Sequence, residues 1–156
     1  MFIKLIFAII QGHETSSLII AAALVMLAMH DEVQEKLYNE VQNVIDELGP
    51  EITEAHLHKL NYLDMVIKET LRLFPVLPIH ARIAHEDIEL EKYTIPAGAN
   101  IVISVFNAHR RVDSWGEDAD KFKPERFSPE NFKEIHSYAF IPFSRGEFIC
   151  LQLKLS

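Results

Sequence analysis

The chain has 156 residues, 49% of them hydrophobic and 10% aromatic, enough apolar material for the core of one domain. A formal charge of -8, with no cluster of Lys and Arg, argues against a nucleic-acid partner and against a polybasic membrane patch. One cysteine cannot build an internal disulfide, and such a composition suits a reducing environment.

Residues 1 to 30 open with an apolar run from Leu5 to Ile10 that is shorter than the apolar region of a usual secretory leader. The polar island Gln11-Gly12-His13-Glu14-Thr15 divides it from a second apolar block, Leu18 to Met29. This pattern predicts one continuous helix with a polar interruption rather than a leader or a membrane span, and polar groups inside an apolar helix mark a kink or a functional site.

A boundary is expected near His30, with Asp31 capping a second helix. Val33, Leu37, Val41, Val44 and Leu48 recur at steps of three and four and form its apolar stripe until Gly49-Pro50. A short helical turn is expected over 53–59, then a helix over 62–74, capped by Asn61 and stopped by Pro75 and Pro78. Its buried face would be Leu63, Val66, Ile67, Thr70, Leu71 and Phe74.

Residues 79–106 turn extended. Ile88-Glu89-Leu90, Tyr93-Thr94-Ile95 and Ile101-Val102-Ile103-Ser104-Val105, with a turn at Pro96-Ala97-Gly98, predict a small antiparallel sheet. In 107–142, Trp115, Phe122, Pro124, Phe127, Pro129 and Phe132 alternate with charges, as in an irregular but packed segment. The last stretch, 143–156, holds a loop around Cys150 and the start of another helix. No repeat, low-complexity tract or linker divides 1–156.

Three constellations carry chemistry. In Gly12-His13-Glu14-Thr15-Ser16 the glycine weakens the helix by roughly 1 kcal/mol relative to Ala. A His-Glu pair suggests a zinc helix, but Ser17 stands where the second histidine would be needed. An acid beside a hydroxyl, Glu14 and Thr15, can instead relay protons. Glu69-Thr70-Leu71-Arg72 sets an acid and a base three residues apart on one helix face in apolar surroundings; a buried pair needs further partners, and Arg126 in Pro124-Glu125-Arg126-Phe127 is a candidate third member. The sulfur of Cys150, at the end of Pro142-Phe143-Ser144-Arg145-Gly146-Glu147-Phe148-Ile149-Cys150, has three possible roles: a small buried apolar group, a catalytic nucleophile, or a thiolate ligand to iron. No histidine lies near it in a recognisable hydrolase motif. His80, His85 and His109 lack metal-site spacing and are read as surface residues.

In this order, Gly-His-Glu-Thr-Ser, Glu-Thr-Leu-Arg, Pro-Glu-Arg-Phe and Pro-Phe-Ser-x-Gly-x-x-x-Cys resemble the C-terminal part of a cytochrome P-450 monooxygenase, over nearly the whole chain. Gly12-His13-Glu14-Thr15, Leu73-Phe74-Pro75 and Tyr138-Ala139-Phe140-Ile141-Pro142-Phe143-Ser144 are most similar to family 4, the fatty-acid omega-hydroxylases and their insect relatives. The resemblance implies a mainly α fold with a small antiparallel sheet, cut short at both ends. It implies haem b with Cys150 as the axial thiolate ligand of the iron, and Glu14 and Thr15 serving oxygen activation on the opposite face. Glu69, Arg72 and Arg126 would form a buried charge network, Arg82 would meet a haem propionate, and Phe143 and Gly146 would shape the loop.

Also implied are electrons from NADPH through NADPH-cytochrome reductase, an apolar substrate such as a fatty acid, hormone or xenobiotic, and the cytosolic face of the endoplasmic reticulum membrane, with the anchor absent from this chain. The pattern departs from the family at Phe148, where Arg is usual, at Gln152, where Gly is usual, and at Gln11, where family 4 often has a Glu able to form an ester with haem. The chain is expected to be a fragment, from a partial gene model, a splice remnant or a pseudogene. The rival reading is a non-catalytic remnant or helical interaction fragment unable to bind haem.

Overall fold

A computed structural model describes residues 2–145 and residue 150, with side chains from residue 12 onward. Helix α1 (Phe2–Met29) runs unbroken through the polar island, because helical bonding on both sides carries the backbone across Gly12. Its segment Gly12–Met29, 18 residues of mean hydropathy 1.5, is long and apolar enough to cross a membrane by length and composition. The C-terminal end of α1 nevertheless packs into protein through Met26 and Leu27.

Helix α2 (Asp31–Leu48) follows after one residue. Its N-cap is His30 rather than Asp31, and no side chain caps it. The imidazole of His30 bonds back to the Met26 carbonyl (2.8 Å), while Asp31 and Glu32 lie in the first turn, where negative charge meets the positive helix end. The stripe faces inward at Leu37 and Val44, and Gly49, at φ 91°, ends the helix.

Helix α3 (Glu54–Leu57) is one turn held by a reciprocal cap: the Thr53 hydroxyl and amide both meet Nδ1 of buried His56, whose Nε2 reaches the Gly49 carbonyl. Helix α4 (Asn61–Leu73) is the central one. Leu60, not Asn61, is its N-cap, and the capping acceptor comes from α2: the Glu40 carboxylate takes the amide protons of Tyr62 (2.6 Å) and Leu63 (3.0 Å). Its buried face also differs from the expected stripe. Ile67 and Phe74 are exposed, whereas Glu69, Arg72 and Leu73 join Val66, Thr70 and Leu71 inside, because the last turn is enclosed on nearly all sides. Met26, Leu37, Val66, Leu73 and Phe122 form the core between α1, α2 and α4.

Two separate antiparallel ladders take the place of one sheet. Strand β1 (Ile79–Ile83) pairs with β4 (Asn100–Ser104), from Ile79 opposite Ser104 to Ile83 opposite Asn100. The short β2 (Ile88–Glu89) and β3 (Thr94–Ile95) pair with each other. A tight turn at Pro96–Gly98, with Gly98 at φ 82°, bends the chain out of β3 into β4, and the Asp87 carboxylate fixes it by accepting the Ala97 amide (2.7 Å).

The remainder is short turns: α5 (Val105–Ala108), α6 (Val112–Trp115), a 3-10 turn (Pro124–Phe127) and α7 (Pro129–Phe132). They are packed by a second cluster of Trp115, Ala119, Phe127 and Ala139, against which Phe132 and Phe140 lie. Ring contacts such as Phe127 edge-on to Phe140 at 4.8 Å give this irregular segment its order. The chain is thus mainly helical with small antiparallel pairs.

Candidate functional site

The cysteine loop leaves the aromatic cluster after Phe140. Its amide at Ser144 bonds back to the Ile141 carbonyl, and Ser144 takes φ 64°, a left-handed conformation that turns the chain sharply. Cys150 is half-buried, and its amide donates to the Phe143 carbonyl (3.0 Å), so Phe143 and Cys150 close the loop on its backbone. From β1, the Arg82 guanidinium donates to Ser144 Oγ (2.8 Å). The cation of β1 therefore reaches the loop that carries the sulfur. Gly146, Phe148 and Gln152 lie outside the described residues, as does the side chain of Gln11.

On α1, Thr15 is half-buried and Glu14 exposed, with Ser17 Oγ bonded to the Glu14 carbonyl. Among the described residues, no hydrogen bond or ion pair ties Glu14 to the cysteine loop.

Glu69, Arg72 and Arg126 are brought together. Arg72 and Glu69 are fully buried and form a two-pronged pair, Nε to Oε2 at 2.6 Å and Nη2 to Oε1 at 2.8 Å. The other guanidinium protons go to the carbonyls of His109 (2.8 Å), Ala119 (2.6 Å) and Lys121 (3.1 Å), with the Trp115 ring 5.0 Å from the charge. Glu69 Oε1 also accepts the Lys123 amide (2.8 Å) and faces Arg126 Nε at 3.5 Å. Arg126 in turn donates to the Trp115 carbonyl (2.7 Å) and pairs with Asp118 (2.7 Å). Arg126 holds the Asp118 carboxyl below its usual range, with help from Lys123 and against partial burial.

His109 is not a surface residue. It is fully buried, stacked on Phe140 at 5.3 Å, and bonded through Nδ1 to the Arg72 carbonyl (3.2 Å), while Nε2 accepts the Ile141 amide (2.9 Å). That pairing needs a neutral ring with its proton on Nδ1. Burial pushes its pKa down to about 4; the positive charges of Arg72 and Arg110 add to this and the bond to the Arg72 carbonyl opposes it. No local signal marks this residue, because its partners lie 37 and 32 positions away. His80 on β1 is half-buried, its pKa lowered by burial and by Arg82. Among the described residues, no three His, Cys, Asp or Glu side chains cluster as a metal site would require.

Residues 3–155 match the family model described as Cytochrome P-450. The chain belongs to the cytochrome P-450 family. Similar proteins include probable cytochrome P-450 313a1 of Drosophila melanogaster, 44% identical over 94% of this chain and 30% of that protein. Cytochrome P-450 4p1 of Drosophila melanogaster is 39% identical over 92% of this chain and 28% of its own length. Cytochrome P-450 4V2 of Rattus norvegicus is 40% identical over 94% of this chain and 28% of its own length. The chain thus spans under a third of the curated cytochromes P-450 it matches. Membership implies a haem, and the donor set fits one: a half-buried sulfur on a loop closed by its own backbone, with a cation reaching that loop from β1.

Proposed function

We propose that this chain is part of a haem-thiolate monooxygenase acting on an apolar substrate such as a fatty acid, hormone or xenobiotic. Electrons would come from NADPH through NADPH-cytochrome reductase, at the cytosolic face of the endoplasmic reticulum. When bound, haem b would supply the oxygen chemistry, with a thiolate donating electron density to its iron.

The residues of this chain have separate tasks in that reading. Cys150 would hold the iron through its sulfur, and Arg82, on β1, would meet a propionate. Phe143 and Gly146 shape the loop. Glu14 and Thr15 would serve proton delivery, for which an acid and a hydroxyl are suitable groups. Glu69, Arg72 and Arg126 bind the backbone of the segment from which the loop departs. The observation that carries the reading is the closed loop itself, with the Cys150 amide on the Phe143 carbonyl and the neighbouring Ser144 held by Arg82.

The test uses the complete protein carrying this segment, loaded with haem, reduced and treated with carbon monoxide. A red-shifted, thiolate-type Soret band is expected, and Cys150→Ser should abolish it. A band unchanged by that substitution would sink the reading. Failure to take up haem would favour the non-catalytic alternative, to which the departures at Phe148 and Gln152 point.

A further inference from the structure

We propose that His109 is a positioning residue for the Cys150 loop, its neutral imidazole tying the backbone of Arg72 to the amide at which that loop begins. The inference rests on the haem-thiolate reading for its consequence and on hydrogen-bond geometry for its substance.

The ring sits between the end of α4 and the start of the cysteine loop, beside the aromatic cluster that also joins them. On one side is the end of α4, where His109 is held twice: its carbonyl accepts from Arg72 Nη1 (2.8 Å) and its Nδ1 bonds to the Arg72 carbonyl (3.2 Å). On the other side, Nε2 accepts from the Ile141 amide (2.9 Å). The connection continues by backbone, since the Ile141 carbonyl accepts the Ser144 amide (3.2 Å) and the Phe143 carbonyl accepts that of Cys150 (3.0 Å). The buried charge pair and the sulfur are therefore linked through one imidazole. Few side chains fit this place. A rigid donor on one edge and an acceptor on the other is what a neutral histidine offers, and full burial with Phe140 stacked on the ring keeps water from substituting for either partner. The lowered pKa of the ring agrees with this, because a protonated ring would present a second donor to the Ile141 amide.

Two amide variants separate positioning from mere filling. In His109→Gln the longer side chain brings its oxygen to where Nε2 stands and can accept from Ile141. In His109→Asn the amide keeps the donor for Arg72 but falls short of Ile141. Amide hydrogen exchange, read at Ile141 and Cys150 in the complete protein, should quicken about tenfold in Asn and little in Gln, the effect of one lost buried hydrogen bond. The thiolate-type fraction of the reduced carbon-monoxide complex should fall several-fold in Asn and be largely retained in Gln. Equal exchange at both amides in wild type, Asn and Gln overturns the proposal, as does an undiminished thiolate fraction in Asn. A wild-type protein without the thiolate band would overturn the functional reading instead, and the exchange arm would still decide the tether.

Discussion

Arg72 directs every guanidinium proton to an acceptor, two toward Glu69 and the rest toward three carbonyls from the aromatic segment. A lysine has three donors on a flexible stem and no planar fork, so it cannot reproduce this. Arg72→Leu in the complete protein, which leaves the Glu69 carboxylate buried without this partner, is expected to lower stability by about 3 to 5 kcal/mol, seen as a shift in the denaturant midpoint, and Arg72→Lys, which keeps the charge but not the fork, should lower it by less. His109 gives a pH dependence of definite sign. Its folded pKa, about 4, lies below the ordinary value of 6.5, so the unfolded chain binds more protons between these values. The groups facing the ring, Arg72 and Arg110, are cationic throughout this range. Its contribution is fully present above pH 6.5 and is lost as pH falls toward 4, by up to about 3 kcal/mol. Denaturant midpoints measured across that window should fall, and His109→Gln should flatten this part of the profile.

Among the elements, α4 shows how one helix completes another. Two orphan amides at its N-terminus are satisfied by Glu40 from the middle of α2, and this bond also fixes where α2 crosses it. Asn61 is the local residue of the capping type, whereas the acceptor actually used comes from 22 positions away. Glu40→Ala is expected to cost about 1 to 2 kcal/mol in thermal unfolding and to speed hydrogen exchange at Tyr62 and Leu63. The single expected sheet became two ladders for a related reason. Alternation within 88–105 marks extended segments, but their partners are chosen elsewhere: β4 pairs with β1, which the hydrophobic pattern scarcely announces.

At the scale of the molecule, the described surface carries much apolar area. Leu18, Leu24, Val25 and Met29 on α1 are 57 to 70% exposed. On the β1–β4 pair, Ile79, Ile83 and Val102 face outward while His80 and Arg82 are half-buried. Surfaces of this kind call for a covering partner, and the curated relatives are more than three times as long as the matched stretch. Expressed by itself, the chain should bind a hydrophobic dye strongly, and the same segment within the complete protein should not; equal fluorescence per molecule would contradict this.

By itself the sequence determined the family, the helical stretches, the pairing of Glu69 with Arg72, with Arg126 a candidate third member, and the single sulfur, because these depend on short motifs and on periodicity within one turn or strand. Only the tertiary structure decided that Arg72 is saturated by distant carbonyls, that Glu40 caps a helix it does not belong to, and that His109 is a buried bridge. Each of those depends on a hydrogen-bond partner more than twenty positions away, and burial forces that partner to be found, since a polar group shut away from water has no other way to satisfy its donors and acceptors.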